Sequence, residues 1–295
     1  MDTSSLRYQY RTANVVLKLI AINAIIFIAL GLLSWILGFS QDYLASWFVL
    51  PSDVMSTLGQ PWSVLTYAFL HFSFWHIFWN MLVLYMFGRF VLNLFTEKRF
   101  LTIYLLGGIA GAFFFVLAYS LFPVLQGSRG YLIGASAAVN AIIVFIAAYT
   151  PNTPVRIIFF NVKLWQIGVF VVVMDLIQIP TSNNAGGLIS HLGGALFGYV
   201  YARQLLKGND IGLWWEKMLD SIAVWFKPRS ERPAKMKTVH RSKTPPRRKA
   251  SNKNGPAKTS QQQRVDDILD KISKSGYDSL SKSEKDFLFK AGKDS

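Results

Sequence analysis

Six apolar stretches occupy the first 206 residues, at approximately Val15–Leu37, Trp75–Phe95, Phe100–Phe122, Leu132–Tyr149, Leu164–Ile179 and Leu188–Leu206. A bilayer crossing needs about 20 mostly apolar residues in a helix, because only internal backbone hydrogen bonds can replace water there. The pattern predicts an all-α fold, a polytopic membrane bundle of six transmembrane helices. Hydrophobic residues at 52% and a mean hydropathy of +0.31 leave too little polar surface for two soluble domains. No small-residue cleavage site follows the first apolar run, and Asn23 and Trp35 suit a retained helix rather than a cleaved signal peptide.

The net charge of +15 is unevenly placed: residues 1–206 carry 10 Lys/Arg against 5 Asp/Glu, and residues 207–295 carry 21 against 11. Within the membrane part, Arg7, Arg11 and Lys18 flank the first span, Arg89, Lys98 and Arg99 the second turnaround, and Arg156 and Lys163 the fourth. The opposite loops hold only Arg129. Short cytoplasmic loops collect cations, so the expectation is a multi-pass cell-membrane protein with both termini cytoplasmic. The first external loop carries Trp47, Phe48, Trp62, Tyr67, Phe69, Phe72 and Phe74. It is too apolar for a solvated connector and is expected to lie partly in the outer interface.

Four parts follow: a membrane domain over 1–206, an amphipathic helix over 207–227, a disordered basic linker over 228–263 and a short helical element over 264–295. In the second part Ile211, Trp214, Trp215, Met218, Leu219, Ile222, Trp225 and Phe226 share one side of a helical wheel, which suits a helix in the membrane interface or one packed on the bundle. The linker combines Pro233, Pro245, Pro246 and Pro256 with many cations and a Gln run. Such a stretch beside a membrane contacts anionic lipid, and no nucleic-acid partner is expected. Beyond it Val265, Ile268, Leu269 and Ile272 keep helical spacing up to Gly276, and Ser281 to Glu284 fits a capping box.

The chain has no Cys, which removes disulfides, thiolate metal sites and cysteine nucleophiles together. Polar side chains inside membrane helices cost about 2–3 kcal/mol or more, so those that remain are functional candidates. They are His76 and Asn80 in span two, Ser136 and Asn140 in span four, Asp175 and Gln178 in span five, and His191 in span six. Spans two, four and six all enter from the external side, which puts His76, Asn80, Ser136 and His191 within about two turns of that surface. His76 and Asn80, four residues apart, share a helix face. Gly194 and Gly198 form a small face on span six, and Gly134, Ala135, Ser136, Ala137 and Ala138 offer a matching surface on span four. If those faces meet, hydroxyl and imidazole reach hydrogen-bond distance, the arrangement of an activated nucleophile with its general base.

These residues resemble the rhomboid family of intramembrane serine proteases. His71-Phe-Ser-Phe-Trp-His76-Ile-Phe-Trp-Asn80 is similar to its His-x4-His-x3-Asn pattern, Gly134-Ala135-Ser136-Ala137 to its Gly-x-Ser-x motif, and His191-Leu-Gly-Gly194-Ala-Leu-Phe-Gly198 to its His-x2-Gly-x3-Gly motif. The resemblance covers about residues 15–206. It implies Ser136 as nucleophile and His191 as base in a dyad, His76 and Asn80 with the Ser136 N–H as oxyanion hole, His71 as an ordering residue of the first loop, and span five as a movable lateral gate. It implies no cofactor and no metal, and single-pass transmembrane proteins as substrates among the membrane lipids. Oligomeric state is left open. Two positions depart from the pattern: Trp62 is followed by Ser63 rather than Arg, and Asn140 stands where an aromatic is common. Asn140 is expected to hydrogen-bond or orient His191. Asp175 invites a triad, since a carboxylate on His191 would orient it, but the family uses a dyad and its fifth span is a gate, so Asp175 is expected instead to partner a neighbouring polar group or to face water on the external side. His-Glu-x-x-His is absent, a second membrane carboxylate for an aspartyl site is absent, and neither a repeat nor a pore-lining charge series suggests a transporter. The remaining alternative is a rhomboid-like pseudoenzyme that binds membrane proteins without cutting them.

Overall fold

The computed structural model describes residues 6–128, 130–157, 160–226 and 260–291. The chain divides into two units, Met1–Arg232 and Pro233–Ser295. In the first, a short helix α1 (Leu6–Thr12) precedes α2 (Val15–Leu37). The loop after α2 folds into α3 (Gln41–Ala45), strand β1 (Leu50–Pro51), α4 (Val54–Gly59), α5 (Ser63–Thr66) and a 3-10 turn at Tyr67–Phe69. After it come α6 (Phe74–Leu92), α7 (Glu97–Leu121), strand β2 (Tyr131–Leu132), α8 (Ser136–Tyr149), a hairpin of β3 (Pro154–Ile157) and β4 (Phe160–Lys163), α9 (Leu164–Gln178), α10 (Ala185–Leu206) and α11 (Leu213–Phe226). Six of these helices coincide with the six apolar stretches. By length and composition α2, α6 and α7 are each able to cross a membrane, whereas α8 and α9 are shorter apolar helices.

Polar caps set several boundaries. Asn14, Ser73, Thr96 and Asn184 accept first-turn N–H groups of α2, α6, α7 and α10, donors that would otherwise be orphaned. Gly38, with φ +71°, closes α2.

The centre of the bundle is α8. Ten of its 14 residues are buried, under α10, α7, α9 and α6. At about 1.5 Å per residue, 14 residues span less than a bilayer core of about 30 Å. The apolar pattern predicts this helix from Leu132. Instead Tyr131 and Leu132 pair antiparallel with Pro51 and Leu50, and the helix starts at Ser136. An apolar strand and an apolar helix start look alike in sequence, and non-helical backbone at this depth is tolerated because protein surrounds it.

Ala137 and Ala141 of α8 are clasped from two sides. A Cβ added to Gly194 or Gly198 of α10 would overlap the carbonyl oxygens of Ala137 and Ala141, and one added to Gly111 or Gly107 of α7 would overlap their side chains. Small residues four apart let three membrane helices approach to backbone contact. The sequence spacing predicts the α10 pair, and the structure adds the α7 pair. By contrast α9 buries only Leu164, Gly168 and Asp175.

The loop between α2 and α6 is braced by side-chain hydrogen bonds to its own backbone. Trp62 Nε1 donates to Trp47 O at 2.6 Å, Thr66 Oγ1 to Phe48 O at 2.7 Å and Gln60 Nε2 to Val49 O at 2.9 Å. Tyr43, Trp47, Met55 and Leu58 remain more than half exposed, the pattern of an apolar surface awaiting a membrane interface. At the other end Arg99 pairs with Asp210 and Glu216, and Lys98 with Asp220. These two cations thus tie α11 and the segment leading into it to the start of α7, while Trp214 and Ile222 stay exposed.

The second unit consists of α12 (Ser260–Ser275), a 3-10 turn at Tyr277–Ser279 and α13 (Lys282–Ala291). Gly276, with φ +78°, ends α12. The capping box forms: Ser281 N–H donates to Glu284 Oε2 at 2.7 Å and Glu284 N–H to Ser281 Oγ at 3.4 Å. Lys271, at 2.8 Å, helps to pull the Glu284 carboxyl down to about 2. Of the linker expected over 228–263, residues 228–259 lie outside the described residues, as do Arg129 and Lys227. Its last four residues are helical, in keeping with the good helix propensity of Gln.

Candidate active site

Ser136 is the first residue of α8, and the loop that delivers it is pinned at successive positions. Gly134 N–H donates to Tyr67 O at 2.9 Å, and Ala135 N–H to His71 Nε2 at 3.4 Å. Gly134 has φ +103°, and a Cβ there would strike the His76 ring, so only glycine permits this approach. His71 therefore orders the residues just before Ser136 as well as the end of the first loop. Burial, with His76 beside it, pushes His71 down to about 3, which keeps it neutral and able to accept the Ala135 proton.

Across the α8–α10 contact, His191 Nε2 lies 2.7 Å from Ser136 Oγ. On the other side of the ring His191 Nδ1 lies 3.1 Å from Asp175 Oδ1. Asn140 Nδ2 donates to Asp175 Oδ2 at 3.2 Å. A carboxylate only accepts hydrogen bonds, so with Asp175 ionised the imidazole carries its proton on Nδ1 and offers the Nε2 lone pair to the Ser136 hydroxyl.

Of the two positions expected for Asp175 the geometry gives the first, beside neighbouring polar groups, His191 and Asn140, and not the water-facing one; Asn140 reaches His191 through Asp175 rather than by a direct bond. The depth reasoning applied to spans two, four and six reaches Asp175 too: α9 ends at Gln178, so Asp175 sits one turn inside the same face of the bundle.

His76 and Asn80 line one cleft with Ser136 and His191, a cavity of about 1180 Å³ between α6 and α9 walled mainly by apolar side chains such as Trp79, Val83, Ile167 and Phe170. Asn80 Nδ2 donates to His76 O at 2.9 Å within α6. The i to i−4 ladder of α8 begins with Val139 N–H on Ala135 O at 2.9 Å, so the N–H groups of residues 136–138 precede it. They form the positive end of the helix beside the hydroxyl. Gly194 and Gly198 hold the backbone approach that brings His191 to Ser136.

Residues 58–208 match the family described as "Rhomboid domain", and residues 253–290 match a "Family of unknown function (DUF6576)". The chain is 30% identical over 207 residues to "RHOMBOID-like protein 12, mitochondrial" of Arabidopsis thaliana, covering 66% of this chain and 60% of that protein. It is 27% identical over 175 residues to "Presenilin-associated rhomboid-like protein, mitochondrial" of Bos taurus, covering 58% and 44%. It is 25% identical over 217 residues to "Rhomboid protein 1, mitochondrial" of Saccharomyces cerevisiae, covering 72% and 59%. The chain thus spans 44% to 60% of the length of these three relatives. Their names overturn the expectation of a cell membrane with cytoplasmic termini. Cation asymmetry orients a bundle across a membrane and does not say which membrane it is.

Proposed function

The chain belongs to the rhomboid family, and from that membership we propose that it is a serine endopeptidase that hydrolyses peptide bonds of single-pass transmembrane proteins within the membrane. The observation that carries this reading is the 2.7 Å approach of His191 Nε2 to Ser136 Oγ. In the reaction Ser136 Oγ attacks the scissile carbonyl carbon while its proton passes to His191 Nε2. The oxyanion takes hydrogen bonds from the Ser136 N–H and from the side chains of His76 and Asn80, donors in a low-dielectric site where such bonds are worth most. His191 then returns the proton to the leaving amine, and water hydrolyses the ester on Ser136 by the same base.

The site lies at the N-terminal end of α8, beside the first turns of α6 and α10, so the scissile bond lies near that end of the substrate's span. Helix-weakening Gly, Pro or polar residues beside the bond favour the extended form that attack requires, and the crowding around Gly134 and Ser136 favours a small residue before the cut. The relatives' names support a mitochondrial membrane as the setting. The pseudoenzyme alternative gains no support from a pair that is intact.

The test is cleavage of a single-pass substrate by purified protein, with products mapped by mass spectrometry and Ser136→Ala as control. The expected result is a Ser136-dependent cut near one end of the span. Cleavage that persists in Ser136→Ala, or none by the wild type in lipid, overturns the reading.

A further inference from the structure

We propose that Asp175 is a positioning residue that holds His191 with its proton on Nδ1, and that Asn140 fixes the orientation of the side chain at position 175. The inference rests on the proteolytic reading above and extends the pair to a relay of four side chains.

A carboxylate in an apolar helix is costly, and Asp175 is only 8% exposed. Both its oxygens are engaged, Oδ1 by His191 at 3.1 Å and Oδ2 by Asn140 at 3.2 Å. Of the three residues that α9 buries, Asp175 is the polar one. The groups around His191 are Ser136 from α8, His76 from α6 and Asp175 from α9, and of these only Asp175 is acceptor-only. Without it the ring is free to carry its proton on Nε2. That nitrogen would then donate to Ser136 Oγ instead of removing its proton. During attack the same carboxylate faces the imidazolium that forms.

Asn140 makes the inference sharper. Its Nδ2 points at Oδ2 of residue 175, so in an Asp175→Asn variant, with Asn140 held in this orientation, the new amide turns its oxygen toward Asn140 and its NH2 toward His191 Nδ1. That forces the unproductive tautomer. Exchanging both residues, Asp175→Asn with Asn140→Asp, reverses the amide: the carboxylate now at position 140 accepts from the NH2, and the amide oxygen again faces the Nδ1 proton.

The experiment measures kcat and KM for a single-pass substrate in the wild type, Asp175→Asn, Asn140→Asp and the exchanged double variant. Alongside it, 15N-histidine NMR of a chain with 4 His reads the tautomer of His191, with His191→Ala giving the assignment. Asp175→Asn is expected to lower kcat on the order of 10³- to 10⁴-fold with KM little changed and to move the His191 proton from Nδ1 to Nε2. The double variant is expected to regain roughly tenfold or more, about one hydrogen bond's worth, and to restore the tautomer. Wild-type kcat in Asp175→Asn, or a loss of kcat with no change of tautomer, overturns the role of Asp175. A double variant no better than Asp175→Asn overturns that of Asn140. Failure of the proteolytic reading is separately visible as cleavage indifferent to Ser136→Ala, and the tautomer measurement needs no turnover.

Discussion

Gly194 of α10 lies so close to the carbonyl oxygen of Ala137 that no methyl group fits between them, and Gly198 repeats the contact one turn on, against Ala141. The obstacle in each case is backbone, which cannot rotate aside, so an added side chain must push α10 off α8. Gly194→Ala and Gly198→Ala should each cost about 1–3 kcal/mol, read as a lower thermal midpoint in detergent. Because Gly194 is three residues from His191, its variant should also lose more reactivity at Ser136 than the Gly198 variant. Equal midpoints for wild type and both variants would show that the helices do not pack this closely.

Ser136 should label with a serine-directed fluorophosphonate, since the His191 lone pair raises its nucleophilicity above that of ordinary hydroxyls. His191→Ala should abolish labelling in a protein that still elutes as a folded species. Undiminished labelling in that variant would mean that Ser136 is not activated by His191.

His76→Ala and Asn80→Ala remove donors needed more in the transition state than in the fold. Each should lower kcat by roughly 10- to 1,000-fold with a smaller effect on KM. Asn80 also bonds the His76 carbonyl at 2.9 Å, so its variant should show the larger drop in thermal midpoint. Full activity in both would remove them from the oxyanion site.

His71 predicts a dependence of stability on pH. Its folded value of about 3 lies below the ordinary 6.5, so between those values the unfolded chain binds the extra proton. Stability from this group is constant above the ordinary value and falls as pH drops through the window below it. The thermal midpoint should therefore decrease between about pH 7.5 and about pH 5, and His71→Asn, whose amide oxygen still accepts from Ala135, should flatten that decrease. The same slope in both proteins would assign it to other groups.

The sequence disclosed the bundle because six apolar runs leave few alternatives, and it disclosed Ser136, His191, His76 and Asn80 because all four stand near one membrane face on spans running the same way. Asp175 stands out in the sequence as a carboxylate in an apolar helix, but the resemblance to a dyad family with a movable fifth span argues against a bond to His191, and nothing short of the geometry places the two side chains 3.1 Å apart. The start of α8 was placed too early because Leu132 and Ile133 are as apolar as a helix, and nothing short of the strand pairing with Leu50 and Pro51 distinguishes them. Gly107 and Gly111 were missed for a related reason: a glycine pair signals close approach but does not name its neighbour, and α8 is clasped by two.

A helix that buries only Leu164, Gly168 and Asp175 and turns Ile167 and Phe170 to the cleft leaves selection little to act on along the rest of its length. Substitutions among its lipid-facing apolar residues should accumulate nearly neutrally over evolutionary time, provided hydrophobicity is kept. Gly168, against Ala147, and Asp175, against His191, should stand out as fixed points in an otherwise drifting segment. In α8, enclosed on nearly every side, the same span of time should leave almost no tolerated change.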